Sequence, residues 1–234
     1  MITPKTLRLK ISHRGKGTSK DLSFPVSHLI CAGWVGRDRE ALQAHIDELS
    51  QLGIPKPTRV PIYMNLSPYL LTTDHEITVV SDRSSGEVEY VLLWRDPDIW
   101  VTVGSDHTDR DIETRSIPAS KQMYAKCLAS QCWPYEELKD HWEQLALRCW
   151  VTREGKRALY QQASLASILS PAELLHGLPK EGIGHQEGVM LFSGTVATQS
   201  GIVYGDSYDL ELEDPVLKRS LQHSYQVSIL PQYV

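Results

Sequence analysis

Long apolar runs are missing from this chain. No stretch approaches the roughly 20 residues that a helix needs to cross a bilayer, so no membrane partner is expected. An excess of positive charge is missing too. Lys and Arg number 24 against 29 Asp and Glu, a formal net charge of −5. That balance offers no basic footprint for nucleic acid or an anionic lipid surface. Cysteine is scarce: Cys31, Cys127, Cys132 and Cys149 are scattered, with no second pair near Cys127 and Cys132. This excludes a zinc-ribbon pattern and suits buried, free thiols in a reducing compartment. The opening MITPKTLRLKISHRGKG has no apolar signal core, so the chain reads as intracellular and cytoplasmic. Repeats, low-complexity tracts and an obvious linker are also missing.

What is present is ordinary for a globular protein. The 234 residues are 41% hydrophobic and 23% charged, enough to bury one proper core. Alternation marks a strand at 6–12, and composition marks a buried strand at 26–32. Leu42, Ile46, Leu49 and Leu52 recur at helical spacing, which predicts an amphipathic helix over 37–52, stopped by Gly53 and Pro55. Residues 60–66 read as extended. The stretch HEITVVSDRSSGEVEYVLLW reads as a hairpin, with strands 75–80 and 87–94 joined through SDRSSG. Another strand is expected at 99–104. A helix is expected from Pro134, with Tyr135, Leu138, Trp142 and Leu145 on one side. CWVTREGKRALYQQASL predicts a hairpin across REGK, and SPAELLHG a short helix with a Ser170–Glu173 capping box. The remainder is strand-rich. The fold class is therefore α+β, dominated by β structure.

Three polar groups stand out. Glu87 and Glu89 lie two apart in GEVEYVLL, so in an extended chain both project from one face. Like charges at that distance need either water or a cation between them. SDHTDRD follows an apolar strand and brings Asp106, His107, Asp109, Arg110 and Asp111 together in sequence. His45 and Glu48 are neighbours at i and i+3 on the predicted helix. Each group has a plain reading as solvated surface. If Glu87, Glu89 and Asp106 meet, they form an all-oxygen set suited to magnesium, manganese or calcium rather than zinc or copper. Arg110 is expected to pair with Asp109 or Asp111, and His107 to play a supporting part beside Asp106.

The order and wording of these segments resemble the fumarylacetoacetate hydrolase superfamily, C-terminal-domain type. The resemblance rests on the Glu-x-Glu of GEVEYVLL, the DHTDRD at 106–111, the ASKQM segment, EGVMLFSGT at 187–195 and YGDSYDLELE. It implies a β-rich mixed-sheet roll forming one domain over 1–234, with N-terminal strands and a lid-like helix in 1–60 and a metal-binding β-roll in 61–234. It implies Mg2+ or Mn2+, with Ca2+ as a further option, held by Glu87, Glu89 and Asp106. Lys121, Thr195 and Gly194 would contact a small-molecule oxo-carboxylate substrate, with Arg110 and His107 beside them. His45 and Glu48 would form a general-base dyad activating water, with Lys121 taking part in catalysis. The implied reaction is hydrolytic cleavage of a C–C bond, with decarboxylation or another lyase step, or keto–enol tautomerisation, as alternatives. A non-catalytic binding protein on the same fold is the rival from another class. A homodimer is the family habit. Departures are plain: Asn65 stands where the family has a Lys, with Arg59 or Arg37 as replacements, and the gap from Glu89 to Asp106 is short.

Overall fold

The structure is a computed structural model that describes residues 3–15, 19–51, 56–179, 183 and 188–233. The side chains of His45, Glu48 and Leu49 lie outside the described ones. Among the described residues, ten strands form the larger sheet and five the smaller, and Ser84–Ser85 and Thr108–Asp109 make a separate short pair.

The larger sheet is mixed and draws strands from distant parts of the chain. Lys5–Ser12 pairs antiparallel with Ser19–Val26 and parallel with Gln131–Pro134. The N-terminal strands are thus woven into the same sheet as later residues. Next across come Asp98–Asp106, Val88–Arg95, Val189–Phe192, His28–Gly33 and Ile62–Leu66. Val88–Arg95 lies inside this order and is covered on both faces, which is why it reads as a nearly continuous apolar run. Val88, Tyr90 and Leu92 face one cluster, while Val91 and Leu93 face another.

The smaller sheet is the half-covered kind. Its strands run in the order Lys156–Ser164, Ala146–Arg153, Ser207–Asp214, Arg219–Ile229 and Glu76–Val79. Alternate residues of Ser207–Asp214 and Arg219–Ile229 are buried, so one face carries the core and the other meets water. Leu147, Cys149, Tyr208, Leu210, Leu212 and Tyr225 pack there against Tyr90, Val101 and Val103 of the larger sheet. This α+β, strand-rich packing matches the expected class.

Several elements match the sequence reading. The helix Arg39–Gln51 forms, as does the hairpin Ala146–Arg153 with Lys156–Ser164. Pro171–Gly177 carries the capping box, Ser170 and Glu173 each bonding the other's backbone N–H. All four cysteines are free and buried.

The expected hairpin across SDRSSG does not form. Glu76–Val79 pairs parallel with Arg219–Ile229, whereas Val88–Arg95 turns tightly at Asp96–Pro97 and pairs with Asp98–Asp106. The expected helix from Pro134 is instead two 3-10 segments, Tyr135–Glu137 and Lys139–Gln144, broken at His141. Their apolar residues still go inside: Leu138, Trp142 and Leu145 are buried. Ser19–Val26 is a strand that the sequence pattern did not single out.

Candidate metal centre

The tight turn at Asp96–Pro97 sets the register of two neighbouring strands. Val88 lies opposite Ser105 and Glu89 opposite Gly104. One step further, the Asp106 N–H donates to the Glu87 carbonyl at 3.0 Å, so Glu87 and Asp106 face each other. Like charges directly opposed across a strand pair are destabilising unless a cation intervenes. The short gap between Glu89 and Asp106 follows from this hairpin, which leaves no room for an intervening helix. Gly104 is required opposite Glu89: a Cβ there would come within 2.7 Å of the Cys127 carbonyl and 2.9 Å of the Phe192 ring.

The question raised by GEVEYVLL is settled in favour of burial. Glu89 and Asp106 are fully buried and Glu87 is nearly so, with 14% of its side chain exposed. Single carboxylate oxygens of Glu87, Glu89 and Asp106 all lie within 4.8 Å of one another.

Each oxygen has a specific neighbour. Glu87 Oε1 accepts from Arg110 Nη2 at 3.0 Å, and Glu87 Oε2 from Lys121 Nζ at 2.9 Å. Lys121 Nζ also donates to Asp106 Oδ2 at 2.5 Å. Lys126 lies opposite Asp106 in the antiparallel pairing of Lys126–Leu128, with Nζ 2.8 Å from Asp106 Oδ1. That contact is an ion pair, and Lys126 Nζ also donates to the His107 carbonyl, 2.7 Å away. Glu89 Oε2 accepts from the Gly194 N–H at 2.8 Å. Gly194 has φ +83, and a Cβ there would strike Val35 at 2.6 Å, so this donor position belongs to glycine. Glu89 Oε1 is buried without a hydrogen-bond partner among the described residues.

The electrostatics divide the three acids. Burial pushes the Glu87 and Asp106 carboxyls up, but Lys121 with Arg110 in one case, and Lys121 with Lys126 in the other, outweigh it and hold both below the usual range. Glu89 has no such cation in contact. Burial and the charge of Asp106 push its carboxyl well above the usual range. Burial would lower Lys121, but Asp106 and Glu87 keep it firmly charged. Burial, Asp106 and Glu89 raise the Cys31 thiol, which stays neutral.

A hard divalent cation fits this donor set. The oxygens converge, Glu89 Oε1 and Asp106 Oδ1 are buried without a hydrogen bond, and Glu89 is the poorly compensated acid. Glu87, Glu89 and Asp106 are the residues that could hold it.

Other expected residues are placed as follows. Arg110 does not pair with Asp109 or Asp111. It is locked between Glu87, Glu113 at 2.7 Å and the Ser85 hydroxyl at 2.7 Å. Asp109 instead caps the short helix Arg110–Glu113, and Asp111 pairs with Arg83 at 2.6 Å. His107 turns away from the carboxylates into the core between the sheets, bonding Tyr225 Oη and Ser84 Oγ, each at 3.0 Å. Burial first, then Lys126 and Arg110, lower its pKa to about 3. Thr195 donates to the Val88 carbonyl at 2.9 Å and accepts from Gln161 at 2.8 Å. The backbone positions of His45 and Glu48 fall on the helix Arg39–Gln51; their side chains are outside the described ones. Neither Arg59 nor Arg37 stands in for the Lys replaced at Asn65. Arg59 lies over the Tyr63 ring and Arg37 pairs with Glu143 and Glu173. Asn65 itself is exposed. Lys126 was not singled out from the sequence. Its signal is a lone charge in the apolar run YAKCLA, the mark of a Lys buried with a partner.

Residues 32–225 match the family described as Protein of unknown function (DUF2848). The chain belongs to this family. No curated protein matches the chain. Solved structures share its fold. One, from Burkholderia cenocepacia and proposed to be a fumarylpyruvate hydrolase, is 16% identical, with a TM-score of 0.60 over 97% of this chain and 96% of its own. Another, from Oleispira antarctica and proposed to be a fumarylacetoacetate isomerase/hydrolase, is 17% identical, with a TM-score of 0.64 over 94% of this chain and 98% of its own. A third is a 2-keto-3-deoxy-D-arabinonate dehydratase complexed with magnesium and 2,5-dioxopentanoate, 14% identical, with a TM-score of 0.61 over 91% of this chain and 77% of its own. At these identities the likeness shows the fold alone: this DUF2848 chain has the fold of these structures.

Proposed function

We propose that this chain is a divalent-metal-dependent enzyme acting on a small oxo-carboxylate or β-dicarbonyl compound, with hydrolytic C–C cleavage as its reaction. The observation that carries the reading is the convergence of Glu87, Glu89 and Asp106 in a buried site where Glu89 Oε1 lacks a partner. The fold supports it, since a dehydratase of the same architecture is described with magnesium and a dioxo acid. Magnesium or manganese suits the donors best, and calcium is compatible.

When bound, such a cation supplies Lewis acidity toward adjacent carbonyl and carboxylate oxygens. The chain's own residues do the rest. Gly194 N–H fixes one oxygen of Glu89 and leaves the other without a hydrogen-bond partner. Arg110 orients Glu87, and Lys126 steadies Asp106. The proposal puts the oxo-acid group beside Thr195 and Gly194, with Lys121 as the nearby cation. The proposal takes His45 as the general base that would accept a proton from water, with Glu48 as its partner. The dehydratase of the same fold favours a second reading, a lyase step on the same substrate class.

The test is a panel of acylpyruvates and oxo-diacids offered with magnesium or manganese, followed by loss of enol absorbance and by product analysis. Metal-dependent turnover that is lost in Glu89→Gln supports the reading. Two products with water incorporated mark a hydrolase, and loss of water or carbon dioxide marks a lyase. Turnover that persists with EDTA, or in Glu89→Gln, contradicts a metal role for these acids.

A further inference from the structure

The strand Lys156–Ser164 breaks its two-residue alternation in the middle. Tyr160 and Gln161 are consecutive, yet both are buried. The pairing with Ala146–Arg153 gives the reason. Cys149 lies opposite Gln161 and Trp150 opposite Leu159, so Tyr160 is an extra residue, a bulge. A bulge re-aims the side chains around it. Here it turns the Gln161 amide inward, where the residue is 1% exposed.

Burying an amide is costly unless its hydrogen bonds are made. Gln161 Oε1 accepts from the Val88 N–H at 3.0 Å. Its Nε2 donates to Thr195 Oγ1 at 2.8 Å and to the Val196 carbonyl at 2.5 Å. The Thr195 hydroxyl donates in turn to the Val88 carbonyl at 2.9 Å. Val88, Gln161 and Thr195 thus close a ring of three hydrogen bonds.

The ring lies where backbone pairing gives out. Val189–Phe192 runs antiparallel to Val88–Arg95, and just past its end the Ser193 N–H still donates to the Tyr90 carbonyl at 3.1 Å. The next N–H, that of Gly194, goes to a side chain, Glu89 Oε2. Val88 then meets side chains with both its N–H and its carbonyl, so Gln161 and Thr195 supply what the ended strand does not. Val88 is the residue between Glu87 and Glu89, and Thr195 follows Gly194. The ring therefore holds the backbone carrying two of the three acids against the loop whose N–H fixes Glu89.

We propose that Gln161 is a positioning residue for the metal centre, its amide standing in for a peptide unit between the Glu87–Glu89 segment and the Gly194–Thr195 loop. It touches neither an ion nor a substrate; it acts through Val88 and Thr195. This deepens the metal reading given above and rests on it.

The experiment measures Mn2+ binding by calorimetry, with thermal melts, for EDTA-treated wild type, Gln161→Met, Thr195→Val, the double variant and Leu221→Ala. Leu221 is a buried leucine of the smaller sheet outside the ring, so its truncation lowers stability without breaking these bonds. Gln161→Met and Thr195→Val should each weaken Mn2+ binding by about tenfold. The double variant should bind about as Gln161→Met does, because both changes open the same ring; independent effects would multiply to about a hundredfold. Leu221→Ala should melt lower and bind Mn2+ as wild type does. Wild-type affinity in Gln161→Met, multiplying losses in the double variant, or an equal loss in Leu221→Ala overturns the proposal and leaves the metal reading standing. If Gln161→Met does not fold, Thr195→Val beside Leu221→Ala decides in the same way. No Mn2+ binding by wild type overturns the metal reading, and the proposal with it.

Discussion

His107 gives a pH dependence whose size follows from its surroundings. The ring is fully buried, with Tyr124, Tyr208 and Tyr225 packed around it at centroid distances of 5.8, 5.7 and 5.7 Å. Burial, then Lys126 and Arg110, hold its pKa at about 3 against an ordinary 6.5; Asp106 opposes them and loses. The folded protein therefore refuses a proton that the unfolded chain accepts. The stability linked to this group is complete above the ordinary value and falls as pH drops from 6.5 toward 3. Each pH unit in that window is worth about 1.4 kcal/mol, so going from pH 7 to pH 5 removes about 2 kcal/mol. Other groups titrate as well. His223 is lowered to about 4 by burial and then by His75, and acts in the same direction, whereas the raised Glu89 acts in the opposite one. The comparison with His107→Gln isolates the contribution, because Gln keeps an amide facing Tyr225 and Ser84 but cannot titrate. Urea unfolding at pH 7, 6 and 5 should show wild type losing about 2 kcal/mol more than the variant over that range. Parallel pH profiles would refute the assignment of a buried neutral imidazole at 107.

Two further expectations concern stability. Lys126→Met removes a buried cation from Asp106 and a donor from the His107 carbonyl, so it should cost about 3–5 kcal/mol by urea unfolding at neutral pH; a loss under about 1 kcal/mol would mean that Asp106 is compensated elsewhere. Gly194→Ala places a Cβ against Val35 at φ +83 and should destabilise by about 1–3 kcal/mol, with weaker Mn2+ binding because the Glu89 carboxylate loses its fixed donor. An unchanged melting temperature and affinity would contradict that.

The parts of this protein legible in its sequence are those governed by local rules. The two-residue period placed Glu87 and Glu89 on one face, and the structure keeps them on one side of the sheet beside Asp106. The Ser170–Glu173 box and the REGK hairpin are similarly local and are observed. Partner choice over long range was not legible. SDRSSG has good turn chemistry, yet Glu76–Val79 finds its partner in Arg219–Ile229, near the other end of the chain. Tertiary packing decides such pairings, and no neighbour in sequence records them. The helix expected from Pro134 kept its buried residues but tightened and broke at His141, which bonds Asp214 at 3.0 Å from the smaller sheet. Arg110 was assigned to its sequence neighbours, though adjacent side chains do not face each other on a helix. Its partner Glu113 is three residues on, and Glu87 comes from another strand. Lys126 was hidden because a lone Lys in an apolar run signals burial without naming the partner.

The central claim is that Glu87, Glu89 and Asp106 together hold one divalent cation. Elemental analysis after magnesium and manganese loading, beside a Glu87→Gln, Glu89→Gln double variant, tests it most directly. The account predicts about one ion per chain in wild type and essentially none in the folded double variant. Equal metal content in the two proteins, or none in wild type, would contradict it.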